Sequence, residues 1–456
     1  MKRISIALVI FTALLLPTYA QAANPKTGAT CAKPNQSQIY KHFTYKCMKS
    51  GKKLVWDKGA PVAALPVAQP TRTPTPTASP TPTASPTPTA KVAAVVDSRL
   101  ACKLPPVDGR GDVAIGGFPR YSARMRSTGT INTVVVMVDF PDAPSIMTPQ
   151  EAFSKISGST ETFKEVSYGK LNYIFQPQFK WYRMSKPTTA YAPLNKSFFT
   201  HRDYITEALN LADSDVDFSN VDSFIVLANP DAKNLGYSGP AFSPLLGSGV
   251  TFDNHYLGNG ATSAADLLGW GSIWLNHEIT HTMGMVDLYS FQADPAAVVS
   301  GGFRFTGDFS YMGLSSFAST APGLLGWERW ALGWLDDDQV VCDTSNELTQ
   351  TITPIESANG IKIVVVPISQ TKALVIESRR PLGLDSKLRK SGALVYLVDS
   401  SIQSGLGPVK VFPQQGSDPQ YLTAPRALGE SVTVEGITVT VTASDASGDT
   451  VRITKN

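Results

Sequence analysis

Two kinds of hydrophobic pattern alternate along the middle of the chain. Continuous β-branched runs at residues 131–139 and 223–228 predict strands covered on both faces, because such strands expose no polar side. Residues 151–166 and 203–213 have the spacing of amphipathic helices. This alternation predicts an α/β domain built in layers. Residues 235–272 are rich in glycine and serine, which predicts a loop region near a site.

Beyond residue 346 the pattern changes to short segments of strand length. Turn signals such as Asn359-Gly360 separate these segments. We expect an all-β, sandwich-like domain at residues 346–456, with no catalytic constellation of its own. The predicted strands are 361–368, 373–377, 393–398, 431–434 and 438–442.

The first 22 residues predict a signal peptide. Lys2 and Arg3 precede an apolar run over residues 4–16, and small residues at 20–22 have the spacing of a cleavage site. The run is shorter than the ~18 residues that a membrane helix needs, and no later run reaches that length. We therefore expect a secreted protein without a transmembrane segment. The alternative is an anchor that stays uncleaved.

Composition agrees with an exported protein of several parts. The chain has 456 residues, of which 17% are charged, with 33 prolines and 35 glycines. This length predicts two or three folded units. Residues 61–94 repeat the motif TPTASP, and closely spaced prolines favour extended polyproline II. We therefore predict a semi-rigid linker there.

Residues 23–60 predict a small basic module. Eight lysines and one aspartate give residues 24–60 a net charge of +7, whereas the whole chain carries +3. A basic head could contact an anionic cell-envelope surface. The alternative is a solvated lysine face without a partner. A unit this short needs a covalent staple, and two cysteines lie within it.

The four cysteines fall into two groups. Cys31 and Cys47 are close in sequence, and Cys102 and Cys342 bracket the central region. Three pairings are possible, and the spacing favours Cys31–Cys47 with Cys102–Cys342. The alternative is free buried thiols. No C-x-x-C pair exists, so a zinc site made of thiolates is not expected.

The strongest chemical signal is HEITH, the start of the run HEITHTMGMVDLY. Histidines four residues apart lie on one face of a helix, so His277 and His281 can bind one Zn²⁺. Glu278 lies beside the first ligand and can act as general base toward water. The alternative is a helix whose histidines are packed or hydrogen-bonded without a metal.

A catalytic zinc site needs a third protein ligand and one open position. Gly284 lies three residues past His281, where helices commonly end in a left-handed residue. The resulting turn could bring Asp287 back to the metal, and we expect Asp287 as the third ligand. Two alternatives stay open: Asp287 orients a histidine from behind, or Asp308 is the ligand.

The extended motif resembles a known family. H-E-x-x-H-x-x-G-x-x-D-L-Y resembles the signature of immune inhibitor A-type metallopeptidases, a metzincin-like family. FKEVSYGKL at 163–171, ahead of Trp181, is similar to a further segment of that family. GLLGWERWALGWL at 323–335 is similar to the helix that closes its catalytic domain, and residues 378–407 resemble its C-terminal region.

The resemblance covers about residues 130–340 and implies a metzincin-like catalytic domain at residues 95–345. SYMG at 310–313 resembles the Met-turn, which implies that Met312 packs beneath the metal. The alternative is a methionine that only fills the core. The family also implies Zn²⁺ as cofactor and Ca²⁺ as a second ion, although no EF-hand spacing is present.

Some features depart from the family pattern. The third histidine usual in metzincins is replaced by Asp287, and no latency-cysteine motif is evident. For Cys102 we expect a disulfide, with a zinc-blocking thiolate as the alternative. Tyr311, Tyr289 and His255 are further candidates for contacts to the transition state; the alternative is that each is simply packed or hydrogen-bonded.

These features predict a secreted zinc-dependent endopeptidase that hydrolyses peptide bonds by activated water, with Glu278 as general base. Proteins or peptides are the expected substrates, the cell-envelope surface is a further expected partner, and no nucleic acid is expected. Two alternatives stay open: a zinc amidase acting on cell-wall peptides, and a catalytically silent envelope-binding protein. The intact Glu278 argues against the silent form.

Overall fold

The computed structural model describes most of the chain. The described residues are 27–31, 34, 37–40, 43–51, 53–58, 60–61, 98–106, 117–121, 123–194, 197–236, 241–244, 248–291, 301–314, 323–412 and 420–456. They belong to two compact units, residues 1–91 and 92–456. The predicted signal peptide lies outside the described residues, and so does the predicted linker except for residue 61.

The small unit contains a sheet and a disulfide. Its strands are β1 (Ser37–Tyr40), β2 (Phe43–Ser50), β3 (Lys53–Trp56) and β4 (Ala60–Pro61). The order is β1-β2-β3, with β4 also on β2, and all pairs are antiparallel. Cys47 is buried and forms a disulfide with Cys31, which confirms the predicted pair.

The helices of the larger unit are few and short. The described α-helices are α1 (Pro149–Ser154), α2 (Ser159–Val166), α3 (Phe198–Ala212), α4 (Asp266–Gly269), α5 (Ser272–Thr282) and α6 (Gly326–Ala331). Single 3₁₀ turns lie at Ser98–Cys102, Thr188–Ala190, Phe218–Asn220, Lys233–Leu235, Gly301–Arg304, Asp337–Gln339 and Gly383–Asp385. No helix in the described ranges has the length and apolar character needed to cross a membrane.

A five-stranded sheet forms the centre of the first half of the larger unit. Its strands are β5 (Gly129–Asp139), β6 (Leu171–Arg183), β7 (Ser223–Ala228), β8 (Ala241–Phe242) and β11 (Gly260–Thr262). The order is β6-β5-β7-β11-β8, with parallel neighbours except for the antiparallel β8 at the end. A separate hairpin joins β9 (Val250–Phe252) to β10 (His255–Leu257).

Strand β5 is covered on both faces, as its continuous apolar run predicted. Ile131, Val135 and Met137 lie in one buried core, and Val134 and Val136 lie in a second core on the opposite face. The first core contains α2 and α5, and the second contains α3. The mixed α/β class expected from the sequence is therefore confirmed.

Two helix boundaries differ from the predicted ones. The segment 151–166 forms two helices, and in the turn between them the hydroxyl of Ser157 donates to the carbonyl of Ser154 at the end of α1. Helix α3 begins at Phe198, five residues before the predicted start, because Ser197 caps it by accepting from the amide of Thr200. The segment predicted as loop, 235–272, contains four short strands and α4.

Two sheets that pack face to face make up most of the C-terminal region. The first contains β12 (Val340–Cys342), β14 (Ile363–Pro367), β15 (Lys372–Arg379), β16 (Gly392–Asp399) and β17 (Val409–Val411) in chain order. The second contains β13 (Glu347–Ile352), β18 (Ser431–Val434), β19 (Ile437–Asp445) and β20 (Gly448–Lys455), in the order β13-β20-β19-β18. Apolar residues of both sheets share one core.

One hydrophobic core extends across residue 345, the predicted end of the catalytic domain. Alternate residues of β15 divide between cores: Leu374 faces the second C-terminal sheet, and Val375 joins the core that contains α5 and α6. A disulfide between Cys102 and Cys342, the second predicted pair, also lies in this region. The first of the two C-terminal sheets thus packs directly against the part of the molecule that contains the HEITH helix.

Candidate metal centre

Helix α5 places the two histidines of HEITH side by side. The helix begins after Gly271, and Leu275 and Ile279 anchor one side of it in the large core. His277 and His281 are one turn apart on the opposite side, and their Nε2 atoms are 3.0 Å from each other. The spacing of four residues therefore produces the convergence that the sequence predicted.

The end of α5 turns the chain back toward these rings. The amide of Gly284 donates to the carbonyl of His281 at 2.8 Å, and the amide of Met285 donates to that of Thr280 at 3.2 Å. These two bonds form a Schellman motif, which needs a left-handed residue, and Gly284 has φ +102°. The reversal brings Asp287 beneath the rings. Its Oδ1 lies 3.0 Å from Nε2 of His277 and 3.1 Å from Nε2 of His281.

The outer nitrogens of both rings are bound to backbone carbonyls. Nδ1 of His277 is 2.7 Å from the carbonyl oxygen of Tyr311, and Nδ1 of His281 is 2.8 Å from that of Met285. A carbonyl only accepts, so each Nδ1 carries the hydrogen. In the neutral rings, each Nε2 then directs a lone pair inward, which is the tautomer that metal-binding histidines require.

Three electron-rich atoms therefore point at a common centre. With neutral rings, two imidazole lone pairs and a carboxylate oxygen would repel one another at 3.0–3.1 Å, so a proton or a metal cation has to lie between them. Two imidazoles and one carboxylate are a donor set typical of catalytic zinc. Tetrahedral bonds of ~2.0–2.1 Å separate ligand atoms by about 3.3 Å, so the side chains fit Zn²⁺ after small movements. Among the described residues, these three form the one cluster of this kind.

The ionisable groups at the centre shift one another's pKa values. Burial by itself would raise the pKa of Asp287, but the adjacent His281 and His277 reverse this effect and hold the pKa well below its usual range. For His281, burial acts to lower the pKa, and the carboxylate of Asp287 outweighs it and raises the pKa. Asp287 is thus an ionised carboxylate in a buried site.

Glu278 lies next to His277 on α5. Burial raises the pKa of its carboxyl to about 7, against the opposing effect of His277. Its Oε2 accepts a hydrogen bond from the amide of Ala241 on β8 at 2.9 Å. The carboxyl group is therefore oriented by the end strand of the central sheet, and it can exchange a proton near neutral pH.

The turn containing Met312 is hydrogen-bonded to the residue that follows Asp287. The carbonyl of Met312 accepts from the amide of Leu288 at 2.7 Å, and the Met312 side chain is fully buried in the core that includes Leu288. The same turn provides the carbonyl of Tyr311 that holds His277. This arrangement is consistent with the Met-turn that the family resemblance implies.

The other candidate residues have different positions. The buried Tyr311 hydroxyl lies 3.1 Å from Oγ1 of Thr280, so this residue contributes its carbonyl to the centre rather than its phenol. The ring of Tyr289 is 5.9 Å from that of His277, and burial raises its pKa. His255 is on β10, where its Nε2 lies 2.8 Å from the carbonyl oxygen of Val221. Neither His255 nor Asp308 belongs to the cluster of possible ligands.

One residue that the sequence did not indicate also contacts the centre. Oγ of Ser404 lies 3.2 Å from Oδ2 of Asp287, across 117 residues of sequence. Ser404 is in the connection between β16 and β17. A lone serine in a loop carries no pattern, so only the folded arrangement reveals it.

No protein-family model matches this chain, and no curated protein is a significant match. The geometry of the side chains is therefore the basis for any functional conclusion.

Proposed function

We propose that the protein is a secreted zinc-dependent endopeptidase, similar in its catalytic part to the metzincin-like immune inhibitor A peptidases. The observation that carries this proposal is the convergence of His277, His281 and Asp287 within 3.0–3.1 Å of one another. Glu278 next to this cluster and Met312, whose carbonyl accepts from the amide of Leu288, complete the set of residues that the family resemblance implies.

The three converging side chains would hold Zn²⁺, which when bound supplies a Lewis acid that polarises a peptide carbonyl and acidifies water. Glu278 would act as the general base that transfers a proton of the attacking water. The carboxylate would accept a proton from the attacking water and pass it to the leaving amine. The amide of Ala241 keeps this carboxyl group in place while its charge changes.

Strand β8 offers a place for an extended substrate. It is the last strand in the order of its sheet, and it pairs with β11 on one side. A peptide that adds to an end strand is held by main-chain hydrogen bonds, whatever its sequence. Because Ala241 of β8 also contacts Glu278, a peptide bound there would lie close to the general base.

Two further features support export. Both predicted cysteine pairs form disulfides, which persist mainly in oxidising compartments. The N-terminal sequence has the pattern of a signal peptide.

The test combines two measurements on the purified protein. The first is its zinc content, and the second is its rate of hydrolysis of casein and of cell-wall fragments. Wild type is expected to contain about one zinc per chain and to cleave casein. Glu278→Gln keeps the zinc but loses at least about 100-fold in rate. Glu161→Gln, an exposed glutamate on α2, is the matched control and keeps full activity.

The outcomes separate the alternatives. Zinc absent from the wild type overturns the proposal. Cleavage of wall fragments without cleavage of casein identifies an amidase. Bound zinc with no hydrolysis of either substrate identifies a silent envelope-binding protein.

A further inference from the structure

The connection between β16 and β17, residues 400–408, covers the loop that carries the third ligand. We propose that Ser404 in this connection is a positioning residue for Asp287, so that the C-terminal sheets are part of the metal centre. This inference rests on the proposed zinc site.

Ser404 and Asp287 form a reciprocal pair. The backbone amide of Asp287 donates to Oγ of Ser404 at 3.0 Å, and the same hydroxyl donates to Oδ2 of Asp287 at 3.2 Å. One hydroxyl can do both, because it has a hydrogen and two lone pairs. Its contact to Oδ2 leaves Oδ1 directed at the two histidines. Both residues are buried, which leaves little water to replace the lost bond.

Backbone bonds hold the two segments together around this pair. The amide of Gly405 donates to the carbonyl of Asp287, and the amide of Phe291 donates to the carbonyl of Gly405, both at 3.0 Å. A Cβ on Gly405 would overlap the ring of Phe291, and Gly405 has φ +68°, so glycine suits this close approach. The ligand loop is thus paired with the β16–β17 connection over several residues.

The connection itself is anchored in the first C-terminal sheet, which contains β16 and β17. The amide of Asp399, the last residue of β16, donates to the carbonyl of Pro408 at 2.8 Å, which closes the base of the connection. The hydroxyl of Ser401 donates to Oδ1 of Asp399 at 2.6 Å within the same segment. Ser404 is therefore held by elements that contain none of the ligands.

A hydrogen bond to a ligating carboxylate fixes its orientation and its charge distribution. Loss of such a partner typically weakens metal binding by about 10–100-fold. In Ser404→Ala, Oδ2 of Asp287 loses the serine hydroxyl as a donor and the Asp287 amide loses its acceptor. The carboxylate can then rotate away from the histidines. The substitution should therefore destabilise the metal-bound state more than the metal-free state.

The test measures the zinc affinity of full-length protein by competition with a chromophoric chelator, together with thermal unfolding of the metal-free protein. Ser404→Ala is expected to raise the Kd for zinc by about 10–100-fold, and Ser404→Thr, which keeps the hydroxyl, restores most of the affinity. Ser401→Ala is the matched control, since it removes a hydroxyl from the same connection without touching Asp287.

Four results are decisive. A Kd for Ser404→Ala within twofold of wild type overturns the inference and leaves the zinc site intact. An equal loss of affinity in Ser401→Ala, or a Tm fall in metal-free Ser404→Ala that accounts for the weaker binding, also overturns it, because the effect is then a general loss of stability. Failure of the wild type to bind zinc removes both this inference and the proposed function.

Discussion

The disulfide between Cys102 and Cys342 closes the longest covalent loop in the molecule, with a sequence separation of 240 residues. Replacing both cysteines by alanine opens this loop without leaving a free thiol. Both sulfur atoms lie near the large core, and Cys102 is fully buried. Alanine is small and apolar, so it places no unpaired polar group in the core at either position.

The expected loss of stability follows from the length of the loop. A cross-link stabilises mainly by lowering the entropy of the unfolded chain, and the cost of opening it rises with the logarithm of loop length. For a separation of 240 residues this relation gives about 5 kcal/mol. The free energy of unfolding of a domain is only about 5–15 kcal/mol. The double variant should therefore lose a large part of its stability.

Urea unfolding followed by tryptophan fluorescence measures this loss. Of the seven tryptophans, only Trp56 lies in the small unit, so the signal reports residues 92–456. The control removes Cys31 and Cys47, whose separation of 16 residues predicts a loss of about 3 kcal/mol confined to the small unit. The main transition should then keep its midpoint.

Two results would refute this reasoning. If the variant lacking Cys102 and Cys342 unfolds within about 1 kcal/mol of wild type, the unfolded chain is not restricted by the loop in the way assumed. If removal of Cys31 and Cys47 shifts the main transition by the same amount, the two units do not unfold independently.

Two other predictions concern single carboxyl groups. Asp287→Asn should weaken zinc binding by more than about 100-fold, beyond the range of residues that only orient a ligand, whereas Asp308→Asn should leave the Kd within twofold; the reverse result would make Asp308 the ligand. Burial raises the pKa of Glu328 from 4.5 to about 7, so its folded form keeps a proton that the unfolded form has lost. The stabilisation from this carboxyl is complete below pH 4.5 and is lost as the pH rises to about 7, a difference of about 3 kcal/mol. In metal-free Glu328→Gln the fall in stability over this pH range should be smaller by about 3 kcal/mol, whereas the other buried carboxyls with a raised pKa, Glu278 and Asp385, still contribute to it. An unchanged fall would contradict the assignment.

The buried strands were predictable because their surroundings leave no polar position. The runs at β5 and β7 are apolar throughout since both faces are covered, and the predicted bounds of β7 match the structure. Strands β13 and β20 escaped prediction because one side of each is exposed and carries threonine and charged residues. Hydrophobic periodicity alone is weak in such strands.

In the candidate site, too, some contacts could be predicted from nearby residues in the sequence and others could not. The pairing of His277 with His281 follows from helical periodicity, and the return of Asp287 follows from the glycine turn. The carbonyl of Tyr311 and the hydroxyl of Ser404 come from segments 34 and 117 residues away from their partners. Nothing in the spacing of residues reports such contacts, because the tertiary fold alone sets them.

The covalent connection between Cys102 and Cys342 has a consequence for proteolytic damage. A single cut of any peptide bond between these residues leaves two fragments that remain joined through sulfur. On a gel without reductant, such nicked molecules would migrate as one species, and only reduction would release the pieces. In an environment that contains proteases, the segment that carries Asp287 would stay attached to the C-terminal sheets after the first cleavage.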